Sequence, residues 1–308
     1  MVSIALSMIT KNSLEKVGKY FEKVWNSSLQ VPYKLIILID DSDNENTKNF
    51  VKNFADLHNK ELIVTQSRLY GWHKPTRATA RQTAIDIFLN NTNFEWLFFL
   101  DDDFILRNNW WQEASSYLPN PEIGLIWGID FTPFWKERNM WLRVRGYDEV
   151  SYAIKNFEIR GGLHDTLLRR KAIENIELPP WANVFEDAWV KRFIECKGFK
   201  YAIVRTGGDH LRHEKTGGYS KNDFEIMAKI SAILRLEPIS FPLLVKTIIG
   251  LPGYIYFAKK AGKTIYQAYE MWRHRLTYRA KLLKFTIKYK KYNPCEIVTN
   301  WKNLNIYM

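Results

Sequence analysis

Trp96-Leu97-Phe98-Phe99-Leu100-Asp101-Asp102-Asp103 sets three carboxylates at the mouth of an apolar run. Consecutive large apolar residues, too few for a helix and closed by charge, predict a strand buried on both faces of a parallel sheet. Open α/β sheets build their ligand sites at the carboxyl ends of such strands. Carboxylates held a few ångströms apart repel unless a proton or cation intervenes, and oxygen donors select hard cations such as magnesium or manganese. A solvated acidic turn has the same letters, so the neighbouring sequence must decide.

Outward from this strand, the first two thirds of the chain alternates short apolar runs with amphipathic stretches, the pattern of a layered α/β fold. Strands are expected at Val2 to Met8, Lys34 to Ile39, Glu61 to Thr65, Leu125 to Ile129, Leu163 to Arg169 and Tyr201 to Val204. A first helix opens at Asn12 with Glu15 at capping-box spacing and turns Leu14, Val17, Phe21, Val24 and Trp25 inward. A second buries Phe50, Val51, Phe54 and Leu57, and a third starts at Pro75 and carries Ala78, Ala84, Ile85, Phe88 and Leu89. The second strand ends in Asp40-Asp41-Ser42-Asp43, so two acidic clusters converge at one sheet edge, one suited to a base or ribose and the other to a metal-bound diphosphate. There is no GxxxxGK[ST] or GxGxxG motif, so phosphate charge has to be met by metal and basic side chains.

The 308 residues suffice for one large domain with an appendage, and the net charge of +12 suggests nucleic acid until it is located. Eleven Lys and Arg between Lys259 and Lys291 face the single acid Glu270, which leaves +2 for the rest. This asymmetry separates a nearly neutral body, residues 1–218, from a basic, aromatic helical extension, residues 219–308. Cys196 and Cys295, distant and outside any CxxC pattern, argue for a reducing compartment and against zinc. With no basic, apolar leader at Met1 to Thr10, the expected location is cytoplasmic.

These residues together resemble the inverting family-2 glycosyltransferases of GT-A fold, over roughly residues 2 to 215. Val2-Ser3-Ile4-Ala5-Leu6 is similar to that family's opening strand, Ile39-Asp40-Asp41 to its base-binding turn, Asp101-Asp102-Asp103 to its DxD motif, and Phe185-Glu186-Asp187 to its Glu-Asp pair. The resemblance implies a three-layer αβα sandwich around a mostly parallel sheet, with the C-terminal helices added. It further implies Asp187 as catalytic base, and Asp101, Asp103 and His213 as ligands of Mn2+ or Mg2+, with His213 preferred to His210. Ser7, Asp41, Arg77, Asp102 and Glu186 would contact substrate, and Trp181 would stack on a sugar ring. The partners implied are a nucleotide-diphosphate sugar donor and a saccharide or lipid-linked acceptor. Ile9 departs from the pattern, standing where an aromatic often covers the base.

Phe241 to Ala258 is apolar but broken by Lys246, Pro242, Pro252, Gly250 and Gly253, and is shorter than the ~20 residues of a membrane span. Aromatic and basic residues interleave beyond it, so residues 241–291 are expected either to lie at an anionic membrane surface or to cap the body. Two other functions fit parts of the pattern. A metal-dependent nuclease or nucleotidyltransferase would use the basic tail on nucleic acid, which the neutral body disfavours. A non-catalytic sugar-binding relative would not need Asp187.

Overall fold

The computed structural model describes residues 2–132, 140–211, 221–304 and 306. Its centre is an eight-stranded sheet of order β3-β2-β1-β4-β7-β6-β8-β5. The first four strands, β1 (Ile4–Thr10), β2 (Leu35–Asp40), β3 (Glu61–Thr65) and β4 (Trp96–Leu100), run parallel. In the second half β6 (Ile123–Phe131) and β8 (Lys200–His210) are parallel, whereas β7 (Asp165–Arg169) lies antiparallel between β4 and β6 and β5 (Phe104–Leu106) antiparallel on β8.

The apolar runs are continuous because both faces of the sheet are covered. Alternate residues of β1 and β4 divide between two cores: Ala5, Leu97 and Phe99 point to one, Ile4, Leu6, Trp96, Phe98 and Leu100 to the other. The second core is closed by α1 (Ser13–Val17), α2 (Lys19–Ser28), α3 (Asn46–Leu57) and α5 (Trp110–Ser115). The first is closed by α4 (Arg77–Asn91), α7 (Glu149–Arg160), α8 (Arg170–Ile173) and α9 (Glu186–Cys196). At about 1.5–3 kcal/mol for each fully buried large side chain, these two cores dominate the energetics. The three-layer αβα expectation holds.

Several local expectations are corrected. The helix expected from Asn12 breaks at Gly18 (φ 59°), and Asn12 is no cap: its amide binds Asp43 while Glu15 accepts from Asn46. These bonds knit the turns after β1 and β2 together. Pro75 lies before α4; Thr76 caps it, exchanging hydrogen bonds with Thr79. Leu57, at the last turn of α3, is 75% exposed. β5 was not expected, and β8 runs six residues past Val204 into polar sequence, because Asp130 and Phe131 of β6 and all of β5 pair with that end.

Beyond α6 (Met140–Arg143) and the body, the extension contributes α10 (Lys221–Leu234), α11 (Phe241–Ile248), α12 (Leu251–Lys260), α13 (Ile265–Tyr289) and α14 (Pro294–Asn300). Tyr278, Leu282, Phe285 and Tyr289 of α13 join the first core, and Tyr278 Oη donates to Ser231 Oγ at 2.9 Å. Cys196 at the end of α9 is bonded to Cys295 of α14, 99 positions away, with 5.4 Å between the Cα atoms. This pairing removes the cysteine argument for a reducing compartment. Among the described residues no single helix is long and apolar enough to cross a membrane.

Candidate active site

A cleft of about 730 Å³ opens at the carboxyl ends of β1, β2 and β4. It brings together Asp41, Arg77, Asp101, Asp102, Asp103, Glu186 and Asp187, residues spread over nearly half the chain. A second hollow, about 480 Å³, lies at the opposite end of these strands around Ser3, Glu61 and Phe94 and gathers no paired carboxylates.

The three aspartates have three different environments. Asp101 is already neutralised: Arg81, only 3% exposed and stacked 4.6 Å from the Phe99 ring, reaches its Oδ1 at 2.5 Å. Asp102 accepts a hydrogen bond from Ser13 Oγ, and burial, with the adjacent charge of Asp103, pushes its carboxyl up to about 7. Asp103 lies 3.3 Å from His210 Nε2, and Nδ1 of the same ring is 3.6 Å from Asp130. A carboxylate behind an imidazole is the usual way to orient a metal-binding histidine.

Donor atoms of Asp130, His164 and His210 lie within 4.8 Å of one another. His164 is nevertheless committed on both sides of its ring. Its Nε2 accepts from Trp127 Nε1 at 3.1 Å, and Nδ1 sits 2.6 Å from Asp165, which is fully buried and also accepts from Trp110 Nε1. His164 thus forms a fixed wall, and Asp103 with His210 is the pair that fits a cation. A carboxylate with one imidazole suits manganese, and magnesium where waters and phosphate complete the shell.

On another wall, Phe185 adopts a left-handed backbone (φ 64°), rare for a bulky residue, and launches α9 so that Glu186 and Asp187 occupy its first turn. Burial raises both carboxyls, Glu186 to about 7 with further repulsion from Asp187; Arg77 and Arg81 counter the shift on each. Asp187 also accepts from the Ala188 N–H at 2.8 Å and feels the Arg160 guanidinium. Gly161 (φ 76°) permits this approach, since a Cβ there would lie 2.8 Å from the Asp187 carbonyl oxygen.

Asp41 lines the cleft with its carboxylate held by Ser67 N and Oγ, while Asp40 is turned inward onto Thr10. Two expected contacts lie elsewhere. Ser7 is buried in β1 away from the cleft: it shares a face with Ile9, which does line the cleft, but sits two residues deeper in the strand. Trp181 is 2% exposed, with Lys229 Nζ 4.3 Å from its ring centroid, so it has no face to offer a sugar. His213 lies outside the described residues. His210, ranked behind it from sequence, is the histidine beside Asp103, and the supporting Arg81, Asp130 and Arg160 were not singled out. Only Arg81 left a trace, four residues after Arg77 and so one helical turn along.

The family model for glycosyl transferase family 2 matches residues 6–176. The chain belongs to this family. It is a glycosyltransferase of GT-A fold, and the nuclease alternative falls away. Among solved structures it is similar to the mannosyltransferase PcManGT of Pyrobaculum calidifontis, described in complex with GDP-Man and Mn2+ (14% identity, TM-score 0.53, 94% of this chain and 87% of that one). It is also similar to residues 1–349 of TarS from S. aureus (12% identity, TM-score 0.50, 99% and 93% covered). No curated protein matches the sequence. The family match ends before Glu186, Asp187 and His210, which stand on the geometry of the cleft alone.

Proposed function

We propose that this glycosyltransferase transfers a sugar from a nucleotide-diphosphate donor to an acceptor hydroxyl, with inversion at the anomeric carbon and with a divalent cation. The observation that carries the reading is that the Asp103–His210 pair and the Glu186–Asp187 pair line one cleft. Asp103 and His210 would hold Mn2+ or Mg2+, with Asp130 orienting the imidazole; bound there, the ion supplies Lewis-acid stabilisation of the leaving diphosphate. Asp101 anchors Arg81 in place of binding metal.

Asp187, ionised, accepts the proton of the acceptor hydroxyl as its oxygen forms the new bond to the anomeric carbon and the bond to the diphosphate breaks. Arg77 adds positive charge on the donor side, and Asp41 faces the nucleoside. The acceptor side is supported by α7, where Tyr152, Asn156 and Arg160, four residues apart, fall on one helical face and line the cleft beside Asp187. We assign the acceptor to a lipid-linked or membrane-presented class, on the composition of the extension.

A panel of nucleotide sugars, scored for thermal stabilisation, hydrolysis and transfer with and without manganese, tests the proposal. Asp103→Ala should weaken metal-dependent donor binding, and Asp187→Asn should keep binding but lose transfer. Transfer untouched by Asp187→Asn would point to a different base, whereas donor binding without transfer in wild type and variant alike would leave the non-catalytic reading standing.

A further inference from the structure

The exposed apolar side chains of the extension concentrate in one stretch. Of fifteen exposed large hydrophobic residues among those described, eight fall between Phe241 and Tyr269. Phe241, Ile248, Ile249, Tyr256, Ile265 and Tyr266 are 51–72% exposed. α11 buries only Thr247 and α12 only Ala258, although both helices are rich in large apolar side chains. No acid occurs from residue 238 to 269, whereas Lys246, Lys259, Lys260 and Lys263 do. An apolar face of this kind, edged solely by cations, complements a lipid surface carrying negative head groups.

The geometry decides between lying on and passing through. α11 and α12 meet at 59°, and limbs of 8 and 10 residues reach only about 12–15 Å each, against a hydrocarbon core of about 30 Å. The elbow is also fastened to the protein: Trp272 Nε1 donates to Thr247 O at 2.8 Å, and Arg279 Nη1 to Thr247 Oγ1 at 2.5 Å. The later part of α13 packs as the capping alternative expects, burying Tyr278, Leu282, Phe285 and Tyr289. On its other side α12 stacks Tyr254 on Trp141 of α6, with ring centroids 5.6 Å apart. α6 lies in the stretch of chain between β6, which carries Asp130, and α7, the acceptor wall.

We propose that the α11–α12 elbow with the first turn of α13 is a docking surface for a bilayer bearing anionic head groups, lying in the interface with its apolar side chains inserted. Docking rests on this patch alone; its link to the acceptor rests on the transfer reading above. The test is sedimentation of the full-length protein with phosphatidylcholine vesicles and with phosphatidylcholine–phosphatidylglycerol vesicles, at low and high salt. Wild type should bind the anionic vesicles more tightly, and less so at high salt. Ile248→Asp combined with Ile249→Asp should lower the partition coefficient about tenfold or more. Lys259→Gln and Lys260→Gln should weaken binding to anionic vesicles alone, about fivefold per lysine. Donor hydrolysis in solution should be unchanged in both variants, which separates failure of docking from failure of the transfer site. Absence of vesicle binding by wild type, or binding indifferent to the isoleucine pair, overturns the proposal. So does a wild-type dimer by light scattering that the isoleucine variant dissolves without any vesicle binding, for then the face belongs to a second copy of the chain.

Discussion

Gly161→Ala is a small change with a calculable reach into the site. The glycine holds φ 76° and ψ −169°, a region essentially closed to residues with a Cβ, which costs about 1–3 kcal/mol. The added methyl would stand 2.8 Å from the Asp187 carbonyl oxygen and 3.1 Å from Lys191 Cβ. The first contact is about 0.6 Å inside the ordinary limit of 3.4 Å. If nothing yields, overpacking adds about 1–3 kcal/mol, for a total of about 2–6 kcal/mol of stability. If the first turn of α9 yields, the Asp187 carboxylate moves by about half an ångström, and a displacement of that order lowers turnover about 10–100-fold. Urea unfolding and initial-rate transfer kinetics read the two outcomes separately. Donor KM should change by less than about threefold, since the donor side is untouched. A variant with wild-type turnover and wild-type unfolding midpoint would refute both the tight approach and the role given to Asp187.

Glu186 gives a pH signature in the absence of metal and donor. Its folded pKa, raised to about 7, exceeds the unfolded value, so its favourable contribution is complete below about pH 4.5 and is lost as pH rises through 7. Glu186→Gln should therefore raise the unfolding free energy relative to wild type by roughly 2–4 kcal/mol at pH 8 and far less at pH 4.5; equal effects at both would reject the shift. His210→Ala should lower manganese affinity at least about tenfold by calorimetry, with Asp130→Asn causing a smaller loss. Cys295→Ser should cost about 2–5 kcal/mol in urea unfolding, and reductant should then have no further effect.

What could be read in the sequence followed from local physics. β4 and its aspartates were visible because a strand covered on both faces leaves an unbroken apolar run, whereas Glu186–Asp187 stood out only through the family resemblance, since two acids in the first turn of a helix are ordinary by themselves. The rest depends on contacts between distant segments. Asp101 carries the same letter as Asp103, but only the fold puts buried Arg81 against one and His210 against the other. His210 was hard to separate from His213 because β8 continues through polar residues whose pairing with β5 and β6 has no alternating signature. Trp181 was one of twelve tryptophans, and composition does not tell a covered ring from an open one. The bond between Cys196 and Cys295 joins helices that meet only after the C-terminal chain has folded back.

That bond changes how shortened forms of the protein should be interpreted. α9 begins with Glu186 and Asp187, the latter the proposed proton acceptor, and ends at Cys196, so the far end of that helix is covalently moored to the last helices of the chain. Cutting away the extension would cast off this mooring and strip the covering from the first core, together with the proposed docking elbow. Lost turnover in a truncated protein would then report a loosened catalytic helix as readily as a missing membrane contact, whereas point changes at the elbow leave the mooring whole.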